Sequence, residues 1–282
     1  MQIFREIAPL KAFLVEKRKM GQTVGFVPTM GALHQGHISL IHASKNENSL
    51  TVCSIYVNPA QFNNQADLQK YPRTPEIDAA LLEKAGCDIL FFPDTRDMYE
   101  LQSTVRFDFG LLDKIMEGEF RPGHFSGVAL VVSKLFHIIE PNHAYLGQKD
   151  WQQFAIVRQL VHDLKFNVKL RCVPTMRELD GLAMSSRNIR LTPDQRKKAI
   201  VLHQALVLAC TLLKNGSTIE SVKTDVKQVV ERDPEIKLEY FEVADSENLK
   251  LLNSVEEFGK PILCMAAFVG EVRLIDNMFL SR

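Results

Sequence analysis

Along the first 175 residues, the apolar positions switch between short continuous or alternating runs and a spacing near 3.6, so strands and helices take turns. Ile3 to Lys19 has helical apolar spacing, and Thr23–Val27 follows as a short strand. Ile38–Lys45 is predicted as a helix and Leu50–Val57 as a buried strand. Glu76–Lys84 reads as a helix stopped at Gly86, ahead of a strand at Asp88–Phe92. Helices over Ser126–Ile139 and Trp151–Leu164 flank a strand at His143–Leu146, and Phe166–Val173 completes the alternation. Parallel neighbours need crossovers, so this order predicts an α/β fold with a parallel sheet covered by helices on both faces.

Near residue 175 the texture changes. Thr192-Pro-Asp-Gln opens a long helical pattern through Leu213, with Thr192 as N-cap and Pro193 at the first helical position. Asn215-Gly216 stops it, and a second helix, Ser217–Glu231, precedes strands near Leu238–Ala244, Ile262–Phe268 and Val272–Asp276. Helices followed by a small, mostly antiparallel sheet predict a separate α+β domain. The expected division is residues 1–175 and 176–282, in keeping with two domains for a chain of 282 residues.

Composition narrows the function classes. Apolar residues make up 46% and charged residues 24%, as in a soluble globular protein with ample core. Lys plus Arg number 34, as do Asp plus Glu, so no global field draws the chain to nucleic acid or an anionic membrane. The start shows no signal peptide, and no apolar run spans a bilayer. The five cysteines are odd in number, far apart and without a CxxC pair, so reduced thiols in a cytoplasmic protein are expected. GxxxxGK[ST], GxGxxG after a strand, HExxH and GxSxG are all missing, which removes the usual markers of P-loop, dinucleotide, zincin and α/β-hydrolase chemistry.

Ligands of parallel sheets bind outside the carboxyl ends of the strands. The segments to inspect are therefore Pro28–His37, Asn58–Phe62 and Gly147–Gln153. The first ends in His34-Gln-Gly-His37, two imidazoles with glycines at a strand-to-helix junction. Helix-start amides attract anions, and protonated imidazoles can follow charge developing on a phosphate. Gly31 and Gly36 allow a ligand close to the backbone. A zinc half-site lacking its third ligand, or a structural histidine pair, are the competing readings. Lys149 follows a glycine turn and can reach a phosphate, while Asp150 suits a helix N-cap, a ribose or a metal. Gln152 and Gln153 point different ways on a helix, so only one faces a site. Ser185, Ser186 and Arg187 offer donors to phosphate oxygens, against an alternative of a plain interdomain turn. Arg121 and His124, on a glycine-interrupted loop, are candidates for a second phosphate contact, and Asn58 and Gln61 should emerge at the ligand edge. His137, His162 and His203 sit in helical patterns as packing or helix-face residues.

Taken in order, five blocks (Pro28–His37, Val57–Phe62, Arg121–Phe125, Gly147–Gln153 and Asp180–Asn188) resemble the pantoate–β-alanine ligase family. The resemblance implies a Rossmann-like domain of the HxGH nucleotidyl-transferring superfamily, a smaller C-terminal lid domain and a homodimer. It implies ATP-dependent joining of pantoate to β-alanine through a pantoyl-adenylate, with release of AMP and diphosphate and with Mg2+ taking part. ATP contacts carried over by motif are Met30, Gly31, Ala32, Leu33, His34, Gln35, Gly36 and His37, then Gly147, Gln148, Lys149 and Asp150. Met184, Ser185, Ser186 and Arg187 complete them, with Met176 beside the adenine. Gln61 and Gln153 hold the pantoate and β-alanine side. His37 is credited with a proton-donor role, joined by His34, Lys149 and Arg187 as catalytic donors, and no magnesium ligand is assigned. Ala60 and Trp151 depart from the family pattern. The alternative is another HxGH nucleotidyltransferase with a different small-molecule acceptor, which a cationic pocket in place of Gln61 and Gln153 would mark.

Overall fold

The computed structural model describes residues 1–101, 103–254 and 259–280. The first half runs β1 (Gln2–Phe4), α1 (Ile7–Lys19), β2 (Val24–Thr29), α2 (Gln35–Glu47), β3 (Leu50–Ile55), α3 (Gln65–Lys70), α4 (Pro75–Lys84) and β4 (Ile89–Phe91). After α5 (Thr95–Met98) and α6 (Glu117–Phe120) come α7 (His124–Ile139), β5 (His143–Gly147), α8 (Trp151–Asp163) and β6 (Lys169–Val173). The chain ends with α9 (Pro193–Lys198), α10 (Val201–Lys214), α11 (Ile219–Val230), β7 (Ile236–Asp245), β8 (Pro261–Val269) and β9 (Val272–Phe279).

Six strands form one sheet in the order β1-β4-β3-β2-β5-β6, every pair parallel. The predicted alternation is therefore present, with one addition at the start. Where the spacing of Ile3–Lys19 predicts a single helix, residues Gln2–Phe4 form an edge strand beside β4. Three residues are too few to show a period of two. The winding reverses between β2 and β5, which pair through Gly25–His143 and Phe26–Ala144. A crevice opens at such a reversal, beyond the carboxyl ends of the two strands. Those ends are Thr29 and Gly147, the start points of the HxGH and lysine segments.

Helix α7 is apolar nearly all round, as expected of a largely buried helix. Leu130, Val131, Leu135 and Ile139 are among its buried residues. Its last carbonyls receive Lys11 Nζ (at His137, 3.2 Å) and the Arg18 guanidinium (at Ile139 and Glu140), so α1 caps α7.

The second sheet is antiparallel, β7-β8-β9. Along α11 the buried residues Ile219, Val222, Val226 and Val230 make a single stripe facing a core with Leu206, Val243, Leu263 and Met265. Burying such side chains contributes roughly 1.5–3 kcal/mol each, and a charge at Val226 would break the stripe. The long helix expected through Leu213 is divided at Ala199–Ile200 into α9 and α10, where Leu202 N–H bonds back to the Ala199 carbonyl in a tightened turn. The two sheets share packing: Ala244, Leu249, Ile262 and Cys264 join the core of Phe26 and Leu146. Trp151 Nε1 donates to the Ser246 carbonyl at 3.1 Å, giving the divergent tryptophan a place between the sheets. All five cysteines are free thiols. Among the described residues no helix is long and apolar enough to cross a membrane.

Candidate active site

Beyond Thr29 the chain turns through Gly31 and Ala32, with φ of +83° and +49°. Asp78 of α4 holds this turn. Its carboxylate accepts from the Ala32 amide at 2.9 Å and the Leu33 amide at 2.8 Å, and it is 1% exposed. These bonds offset the cost of about 1–2 kcal/mol for a non-glycine residue in the left-handed region. The turn delivers His34 to the N-cap of α2, where the two imidazoles cap the helix reciprocally. His34 Nδ1 accepts from the Gly36 amide at 3.1 Å, and His37 Nδ1 accepts from the His34 amide at 3.3 Å.

Since each Nδ1 accepts a backbone N–H, each neutral ring carries its proton on Nε2. Burial, reinforced by Lys149, pushes the His34 imidazole down to about 4. Burial, then His34 and Lys149, hold His37 well below the ordinary histidine range. Both shifts favour uncharged rings at neutral pH, each with an Nε2–H to donate. Gly36 is required here: a Cβ would lie 2.8 Å from His34 Cε1.

The cleft at the sheet reversal occupies about 1260 Å3 including its open mouth, and His34, Gly36 and His37 line one side. Gly147, Lys149, Asp150 and Gln153 face it from the β5–α8 connection. Met176, Met184, Ser185, Ser186 and Arg187 close the third side, and Met30 and Gln61 the fourth. Val128, Val131, Val132 and Leu135 of α7 give it an apolar wall that sequence reasoning missed. The continuous apolarity of α7 hid which of its faces is a wall.

Several polar side chains of the cleft are fixed by hydrogen bonds. Gln61 Oε1 accepts from Asn58 Nδ2 at 3.1 Å, Asn58 is itself held by Tyr99 at 2.8 Å, and the Gln61 amide faces Met30 Sδ. Ser186 Oγ donates to the Ala32 carbonyl at 2.9 Å and ties the 184–187 turn to the HxGH turn. Ser185 Oγ accepts the Arg187 amide at 3.2 Å and keeps its own proton to donate. Arg187 and Arg190 share the two oxygens of Asp67, each at 3.0 Å.

Not every expected site residue lines the cleft. Gly31, Ala32, Leu33, Gln35 and Gln148 do not line the cleft. The Ala32 and Leu33 amides are taken by Asp78, and the Gln148 side chain turns to Asn277. Asn58 supports Gln61 from behind at 1% exposure. Arg121 pairs with Glu117 at 3.4 Å, and His124 Nδ1–H donates to the Gln61 carbonyl at 2.8 Å; both face a neighbouring small cavity. Burial and Arg121 push His124 down to about 3. Asp150 occupies the N-cap of α8 without a capping side-chain bond, so its carboxylate remains on the cleft. Gln152 bonds inward, to the Leu112 and Ile115 carbonyls, leaving Gln153 as the one glutamine of that pair on the cleft. Ala60 also lies off the cleft and lines a separate cavity with Pro59 and Phe62. Zinc is disfavoured because both Nδ1 atoms are occupied and, among the described residues, no three His, Cys, Asp or Glu side chains group as a metal centre.

Comparison with known proteins converges on one family. The model of the pantoate–β-alanine ligase family matches residues 2–279. A pantothenate synthetase of Cytophaga hutchinsonii is 48% identical over 273 residues, covering 96% of each chain. The structure of pantothenate synthetase from Thermus thermophilus superposes with a TM-score of 0.93 at 40% identity, covering 100% of both chains. Pantoate–β-alanine ligase of Francisella tularensis, solved with beta-gamma ATP and β-alanine, gives 0.83 at 37% identity, covering 99% of this chain and 98% of that one. A parallel sheet with its HxGH cleft at the winding reversal, matched end to end by these proteins, means that the chain belongs to the pantoate–β-alanine ligase family.

Proposed function

We propose that this ligase joins pantoate to β-alanine with ATP in two steps, through a pantoyl-adenylate formed in the cleft between β2 and β5. The pantoate carboxylate attacks the α-phosphorus and diphosphate leaves; the amine of β-alanine then attacks the acyl carbon and AMP leaves. The observation that carries this reading is the gathering of His34, His37, Lys149 and Arg187 with the neutral amides of Gln61 and Gln153 on one cleft. Charge builds on phosphate oxygens in the first step, so preorganised donors are the main contribution. No proton moves in that step, because the attacking carboxylate is already ionised. His37 therefore acts by Nε2–H hydrogen bonding, and its neutral state suits it to that role. Neutral amides orient pantoate without the tight ion pair that would blunt its carboxylate as a nucleophile. Met176 and Met184 flank the nucleotide base, and Ser185 adds a donor to the phosphates.

Residues 1–175 form the nucleotide and pantoate domain in this reading, and 176–282 a lid that keeps water from the acyl-adenylate. ATP enters as its magnesium complex. Asp150, the one carboxylate among the described residues lining the cleft, fits an ion that keeps several waters and takes few protein ligands. A cytoplasmic homodimer completes the proposal, on the strength of the family resemblance. The deciding assay is diphosphate release from ATP and magnesium with pantoate alone, with pantoate plus β-alanine, and with neither. Release that depends on pantoate is expected, and release indifferent to it would reject the reading.

A further inference from the structure

Two adjacent residues of β9 grip both loops that carry the cations of the cleft. The Asn277 side-chain amide donates to the carbonyls of Gln148 at 2.9 Å and Lys149 at 2.8 Å. Its oxygen accepts from the Gln148 side chain at 3.3 Å. The Asp276 carboxylate takes both terminal nitrogens of Arg177, at 2.6 and 2.9 Å, and the Asn277 main-chain amide at 2.7 Å. Arg177 also donates to the carbonyls of Gly181 at 3.0 Å and Asn277 at 3.2 Å. It stands in a hairpin closed by an Arg177–Ala183 bridge and by Met184 N–H on the Met176 carbonyl, and that hairpin runs straight into Ser185–Arg187. Asp276 and Asn277 are 3% and 2% exposed. A buried polar network adds little stability over apolar packing of the same shape, but when fully satisfied it holds one geometry.

We propose that Asp276 and Asn277 are positioning residues for the phosphate chemistry of the large sheet. They hold the Lys149 main chain and the Ser185–Arg187 turn in one register, so that ammonium and guanidinium meet the same phosphates. The inference rests on the phosphate roles given above to Lys149 and Arg187. Gln61 is held by Asn58 and His124, so loosening the grip leaves that part of the pantoate pocket in place and the main defect falls on the phosphate chemistry.

Asn277→Asp keeps the side-chain volume and removes the two donated bonds. The kcat for pantoate-dependent diphosphate release should fall about 10- to 100-fold, a larger change than any in the KM for pantoate. In a Lys149→Ala background the same substitution should cost less than about threefold, because the group it positions is gone. Asn277→Ser carries the same cycle if the aspartate variant does not fold, as thermal melting will show. A merely structural role lowers activity by the same factor in both backgrounds, and that result overturns the proposal. Unchanged turnover in Asn277→Asp and Asn277→Ser overturns it as well. If Lys149→Ala alone keeps wild-type turnover, the phosphate reading itself fails and the positioning role falls with it.

Discussion

Asp78 decides whether the HxGH turn is built before any ligand arrives. Its carboxylate serves the Ala32 and Leu33 amides at 2.9 and 2.8 Å and the Thr74 hydroxyl at 3.1 Å. Asp78→Ala strands two main-chain amides in a buried turn. At about 1–3 kcal/mol for each unsatisfied group, the loss is about 2–6 kcal/mol. Against a typical total of about 5–15 kcal/mol, that brings the alanine variant close to unfolding. Asp78→Asn is the sharper probe. It keeps the shape and one acceptor oxygen but turns an NH2 group toward an amide N–H, for a loss of about 1–3 kcal/mol. The freed turn, with Gly31 and Ala32 at positive φ, leads directly into His34. A displacement of about 1 Å there should lower turnover about 100-fold. Urea unfolding and pantoate-dependent diphosphate release, measured on the same preparation, test both numbers. An Asp78→Asn enzyme with unchanged midpoint and unchanged kcat would refute the preorganised turn.

Gly36→Ala places a methyl group 2.8 Å from His34 Cε1, so the ring must leave its cap; kcat for diphosphate release should drop at least about 100-fold, and near-normal turnover would contradict the reciprocal capping. Because the folded-state pKa of His34 is depressed from 6.5 to about 4, the unfolded chain binds the extra proton first and stability falls as pH drops through that window. Between pH 7 and pH 5 the wild type should therefore lose about 2 kcal/mol more than His34→Gln in urea titrations, and parallel losses would show that burial of this ring is not the cause. Gln61→Ala should weaken pantoate binding in calorimetry with near-normal ATP binding; a defect confined to ATP would remove Gln61 from the acceptor side.

The strands and their crossovers were legible because each buries a local pattern, and the cleft was legible because its motifs sit at strand ends. What escaped is held by distant partners. β1 is three residues long and declares itself only beside β4. Asp78 shares a helical stripe with buried Leu82, a faint sign that an acidic side chain faces inward, but its partners lie 45 and 46 residues away. Asn277 meets Gln148 across 129 residues, which no local spacing reveals.

The central claim is that the pantoate carboxylate attacks the α-phosphorus of ATP in this cleft. Pantoate labelled with 18O in its carboxylate tests it directly, with the AMP released during pantothenate synthesis analysed by mass spectrometry. One labelled oxygen should appear in the phosphate of AMP. AMP without label, formed alongside pantothenate at the normal rate, would contradict the adenylate route.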